Sequence, residues 1–362
     1  MSHRKTHWFE KAQVQLATAA ALAVVYFVLE PATRPWDPQA AVAFVPYGRY
    51  GALAVFAGVV CLLAACAALL TVSSRPEGAL LAALIGVGGF SLRSPQIRTL
   101  MWLEGDGTSG LFGQLILEML LLVVVLAAAS IVIFAARRIV WAIVPAAVWQ
   151  DPLEDLTDEE RQEVLKEDKA KVQARADMAG AHAAAGGAIL GFVVAIVYPI
   201  YEAMLRRGSY AAGTERGLGM EARRSVSCLA VACLVCVPLL WLLMRSGLRG
   251  QIIFALLVSN SLGILLGHQF FPTRHALVAW AMPMLIGILL YALAAASAIK
   301  GGANAWVHVS DLYQALPVDW LTAGAGGGVL GFWVSERIHE MRHFERKEKI
   351  GKDPGRLACP KS

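Results

Sequence analysis

Long apolar runs, each close to the length of a membrane crossing, restrict what this chain can fold into. A helix rises about 1.5 Å per residue, so crossing roughly 30 Å of hydrocarbon takes about 20 apolar residues. Runs of that order cover Ala12 to Leu29, Gly51 to Val72, Leu111 to Ala135, Ala181 to Tyr201, Ser225 to Met244, Gln251 to Phe271 and Ala276 to Ala298. Two shorter runs, Ala79 to Leu92 and Trp320 to Val334, stop just before Arg93 and Glu336, so each needs flanking residues to reach both headgroup layers. Backbone polar groups at membrane depth must be satisfied within their own segment, which leaves helices as the element of choice. The expectation is an all-α, polytopic integral membrane protein of about nine transmembrane helices.

Composition agrees. Of 362 residues, 57% are hydrophobic and 16% charged, with mean hydropathy +0.57. Counted with glycine and without tyrosine, the apolar share is roughly 64%, against about 45–50% in soluble domains. An ordinary soluble enzyme and a disordered chain are both excluded, and nothing points to a nucleic-acid partner. The formal charge is +5, with the densest basic group in the tail after residue 336, a pattern that suits anionic headgroups. The implied location is a cell (inner) membrane, multi-pass, with the lipid bilayer as the main partner. Cys61, Cys66, Cys228, Cys233 and Cys236 lie inside apolar runs, where cysteine acts as a small hydrophobe rather than a disulfide partner. The first run is too long for a signal-peptide core and reads as an uncleaved helix.

One segment is plainly aqueous: Asp151 to Met178 carries ten acids and five bases. Thr157 and Glu160 form a capping box, and Glu167 with Lys171 adds an i,i+4 pair, so a polar surface helix is expected. It reads as a solvated connector or as a docking surface for a protein partner, a role open to the basic tail as well. Just before it, two tryptophans and two arginines around a short apolar core suit a helix lying in the interface.

The chain also matches itself. CLLAAC at Cys61 to Cys66 recurs as CLAVAC at Cys228 to Cys233, and PQIRTL at Pro95 to Leu100 is echoed by PTRHAL at Pro272 to Leu277. LAAAS returns at Leu293 to Ser297, and GGAILGFVV at Gly186 to Val194 returns as GGGVLGFWV at Gly326 to Val334, six of nine positions identical. The matches keep their order. One leading helix followed by two tandem four-helix repeats in parallel orientation is therefore expected, an arrangement known among transporters. The corresponding units are 1–50, the leading helix and loop; 51–205, the first repeat with the polar helix; 206–336, the second repeat; and 337–362, the basic tail. Coincidence of abundant Ala, Leu and Gly is the competing explanation.

Ionisable residues inside apolar runs carry the functional signal, since each costs about 2.5–3.5 kcal/mol or more at mid-membrane. Glu118 stands one turn from Gln114 in an otherwise Leu- and Val-rich run, a candidate proton or cation site or a hydrogen bond to a neighbouring helix. His268 and His275 flank Pro272, and Arg98 matches His275 across the repeats. Both follow a proline by three residues, which is read either as a ligand-binding turn or as a plain helix end. Gly187 with Gly191, and Gly327 with Gly331, have the spacing of close helix packing, expected to join equivalent helices of the two halves. His339-Glu340-Met341-Arg342-His343 is a literal H-E-x-x-H, which on a helix places two imidazoles on one face for zinc and a glutamate as general base. His308, Asp311 or Glu345 would supply the third ligand. The five residues resemble the motif of integral-membrane zinc proteases, but Arg342 sets a cation between the histidines and no second signature accompanies it.

The expected function is transporter-like or channel-like, without a cofactor, with its site between the halves at Gln114, Glu118, His268, His275 and Arg98. The alternatives are a zinc-dependent membrane hydrolase using Glu340, His339 and His343, and a non-catalytic subunit of a membrane complex.

Overall fold

The computed structural model describes residues 2–33, 42–92, 97, 100–101, 108–144, 218–273, 276–301 and 310–352. Every regular element among them is helical. α1 covers Ser2–Val24 and continues through a π-helical turn, Val25–Leu29, into a last turn, Glu30–Thr33. Then follow α2 (Tyr50–Leu70), α3 (Pro76–Leu92), α4 (Thr108–Ile143), α5 (Leu218–Leu243), α6 (Arg249–Phe270) and α7 (Leu277–Gly301). α8 opens with Pro317–Asp319, passes a π-helical turn at Trp320–Gly324 and runs on through Ala325–Lys352. The Ala181 to Tyr201 run, the polar segment 151–178 and the Trp-flanked stretch before it lie outside the described residues.

Among the described residues six helices are long and apolar enough to cross a membrane: Lys11–Thr33, Tyr50–Leu70, Ser109–Ile143, Arg224–Leu243, Arg249–Phe270 and Leu277–Ala298. Their outward faces explain the composition. Leu234 is 78% exposed and Phe27 74%, and the exposed set includes Ile131, Phe134, Trp241 and Leu289. An apolar belt of this kind is untenable in water and is what a lipid environment requires. The described chain is thus a helical membrane protein.

The helices alternate in direction between two ends, which we name after the buried arginines found there. Val14 of α1 meets Gly78 near the start of α3, and Ala21 meets Gly86 further along, so α1 and α3 run side by side. Arg137, late in α4, donates to the Thr71, Val72 and Ser74 carbonyls just beyond α2, which places all three at the Arg75 end. Cys228 and Ala232 of α5 oppose Gly267 and Gly263 of α6, so α5 starts at that same end and runs toward Arg249.

These directions correct the parallel-repeat expectation. α2 carries CLLAAC away from the Arg249 end, whereas α5 carries CLAVAC toward it. α4 and α7, which bear the two LAAAS copies, also run oppositely, with Phe112 beside Tyr291 and Met119 beside Gly287. Parallel repeats need matched helices to share a direction. The matches carry no direction of their own, and α4 ends and α5 begins at the same end of the bundle.

Lipid tails are as apolar as leucine, so association within the bilayer relies on close van der Waals packing and small residues. α8 shows this. A Cβ at Gly327 or Gly331 would run into the Leu257 or Ser261 carbonyl of α6. These glycines therefore fit α8 closely against its neighbour α6. Gly187 and Gly191 lie outside the described residues. α1 is built into the bundle against α3, and α8 continues past residue 336.

Candidate functional site

At the Arg249 end, residues 42–49 form a tight strap between α1 and α2. The Arg49 N–H returns to the Phe44 carbonyl at 2.8 Å, and Gly48 takes the positive φ of 64° that this reversal needs. Phe44 is anchored on Phe56 of α2 with ring centroids 5.3 Å apart, and Phe56 rests on Phe90 of α3. So held, the strap aims two backbone N–H groups inward. Both reach one oxygen of Glu118: Phe44 N–H donates to Oε2 at 2.8 Å and Val45 N–H at 3.0 Å. Glu118 is wholly buried, and its other oxygen, Oε1, has no hydrogen-bond partner. A buried polar atom left this way is costly, and native structures keep few of them.

Glu118 lies where α4 meets α7. Its neighbour Met119 and the Trp320 ring close on Gly287, where a Cβ would stand 2.7 Å from Met119 Cε. One turn further along α7, Tyr291 donates its hydroxyl to the Ala315 carbonyl and lies within electrostatic range of Glu118, Asp319 and Arg249. Asp319 at the start of α8 accepts from Leu316 N–H at 2.7 Å, a local cap on the new helix. Arg249 at the start of α6 grips both Asp319 oxygens, at 2.7 and 2.5 Å, and also reaches the Ser91 carbonyl at the end of α3, at 2.7 Å. A bidentate pair of this kind is among the strong charge-assisted hydrogen bonds. The cluster thus draws on α3, α4, α6, α7 and α8.

The Arg75 end is closed by a second buried pair, Arg75 with Glu336 of α8. Arg137 caps the terminal carbonyls after α2, groups that a helix end leaves without intrahelical partners. His268 packs here too. The Thr273 carbonyl, 3.0 Å from its Nε2, can only accept, so Nε2 carries the proton and Nδ1 accepts from the Ser335 hydroxyl at 2.8 Å. Gln269 donates to the same Ser335 oxygen at 2.7 Å.

Of the residues singled out from sequence, Glu118 and His268 are buried at opposite ends of the bundle, so they do not form one site. Gln114 is exposed although it stands one turn from Glu118, because the buried face of α4 follows Leu111, Leu115, Glu118 and Leu122. His275, Arg98 and His308 lie outside the described residues, as do the side chains of Glu340, His343 and Glu345. His339 is buried with its ring 5.8 Å from that of His268. Asp311 cannot join it as a ligand: Asp311 lies just before Asp319 at the Arg249 end, and about 30 Å of helix separates Asp319 from His339. Among the described residues no group of three or more His, Cys, Asp and Glu is placed to hold a metal ion.

Arg249, Asp319, Tyr291, Arg75 and Glu336 were not anticipated. The charged ones sit at the edges of apolar runs, where charge reads as a boundary, and only the pairing of distant segments buries them. No protein-family model matches the chain, and neither curated proteins nor solved structures match it.

Proposed function

We propose that this protein is a transporter-like or channel-like protein of a cell membrane that takes a small cation or proton at Glu118, between the helices up to residue 144 and those from residue 218. The observation that carries the reading is the carboxylate itself: wholly buried, tied through Oε2 to two strap N–H groups, with Oε1 unpartnered. A carboxylate at membrane depth facing the junction of two helix groups is the arrangement that ion pathways and proton relays use. The ion pairs at the start of α8, Asp319 with Arg249, and near its middle, Glu336 with Arg75, give the bundle polar closures at both of its ends, with Glu118 inside one of them. The test is reconstitution. Liposomes containing the protein should pass a small cation or protons faster than protein-free vesicles, and Glu118→Gln should return the rate to the protein-free level. Equal rates with and without protein, across sodium, potassium and protons, would contradict the proposal.

A further inference from the structure

The surroundings of Glu118 discriminate between the ions it can take. A bound metal cation needs an oxygen cage, about six ligands for Mg²⁺ and six to eight for Ca²⁺. Here the Oε2 atom is already committed to two N–H donors. Where α4 meets α7 the junction is filled by Met119, Gly287 and the Trp320 ring, none of which offers an oxygen side chain. The nearby carboxylate, Asp319, is taken by both Arg249 nitrogens and by Leu316 N–H. Tyr291 has given its hydroxyl hydrogen to Ala315, which leaves its oxygen as an acceptor beside the site. A proton, unlike a metal ion, needs a single lone pair, and Oε1 supplies it.

We propose that the ion taken up at Glu118 is a proton, and that Tyr291 and the Arg249–Asp319 pair connect Glu118 to the aqueous phase at the Arg249 end of the bundle. The inference rests on the carrier or channel reading above. On uptake, hydronium from the aqueous phase loses one O–H bond as a new O–H bond forms at Oε1, leaving water and a neutral carboxylic acid. Release is the reverse transfer, to water. Neutralisation removes the cost of a buried charge, so the loaded state can exist at depth. Tyr291 is a positioning residue: with its hydroxyl hydrogen committed to the Ala315 carbonyl, its oxygen is left to accept from the water that carries the proton. Arg249, neutralised by both Asp319 oxygens, does not compete for Glu118. The other elements packed around the site add little charge. The strap carries Tyr47 and Arg49, with Arg49 donating to the Thr33 carbonyl at 2.7 Å, while α2 and α3 present Phe56 and Phe90.

Infrared difference spectroscopy on the full chain in lipid vesicles tests this. Wild type minus Glu118→Gln should show a carboxylic-acid carbonyl band that titrates with pH and shifts in heavy water. Tyr291→Phe should keep the band but slow its appearance after a pH jump. Absence of any such band at every pH where both proteins are folded would overturn the proposal, as would sodium or rubidium flux through Glu118 without proton flux. That last result would leave the carrier reading standing. A titrating Glu118 in vesicles that pass no ion would instead overturn the carrier reading and keep the proton at Glu118. Kinetics unchanged in Tyr291→Phe would remove Tyr291 from the route.

Discussion

Glu118 is held in a way that serves chemistry better than stability. Its Oε2 is satisfied and its Oε1 is not, so the native state carries the cost of a half-bonded buried carboxyl. Glutamine keeps a carbonyl oxygen for the two strap N–H groups and carries no charge. Glu118→Gln is accordingly expected to melt at or above the wild-type temperature in the same detergent, read by thermal unfolding; a large fall would mean that the carboxylate is structural. Asp319 and Arg249 should behave oppositely. Removing one member of a buried pair leaves an uncompensated charge and costs about 3–5 kcal/mol, whereas replacing both with apolar residues is often near neutral. Arg249→Met should therefore be strongly destabilised, and Arg249→Met with Asp319→Leu should recover part of the loss. Recovery stays partial because Asp319 also caps Leu316 N–H.

At the scale of elements, α8 depends on glycines that let it lie against α6 and α7. Gly331→Leu would force a side chain into the Ser261 carbonyl. Overpacking of this kind costs about 1–3 kcal/mol, so a clear drop in melting temperature is expected, while Gly58→Leu on the face of α2 with open space around it should melt like wild type. The helices themselves were legible in the sequence because hydropathy reports membrane crossing residue by residue. α3 shows why a short run still forms a helix: most of its length is buried among α1, α2 and α8, so it needs protein neighbours more than lipid thickness. Direction was not legible, since CLLAAC and CLAVAC read alike whichever way their helices run. Of the site, Glu118 stood out because an acid in the middle of an apolar run is anomalous. Asp319, Arg249 and Glu336 did not, because charge at the edge of a run looks like a headgroup contact until a partner from another segment is brought to it. His339 shows the converse. Its motif spacing suggested zinc, but in space its described neighbour is His268, whose two ring nitrogens are already bonded to Ser335 and Thr273.

The described helices form a bundle in which α8 bears two buried ion pairs, Asp319 with Arg249 at its start and Glu336 with Arg75 near its middle. The two pairs hold α3 as well, since Arg75 directly precedes it and Ser91 at its end accepts from Arg249. α3 and α8 are thus latched together at both faces, while α4 and α7 meet at Met119, Gly287 and Glu118. Cysteines placed at positions 75 and 336 and joined by a bifunctional thiol reagent long enough to replace the two side chains should leave any ion flux unchanged if α3 and α8 move as one unit. The most direct test of the whole account is the rate of proton uptake into proteoliposomes by Glu118→Gln against wild type, both shown to be folded. Uptake at the protein-free level in the variant is the predicted result. Uptake at the wild-type rate would contradict the claim that this protein works through Glu118.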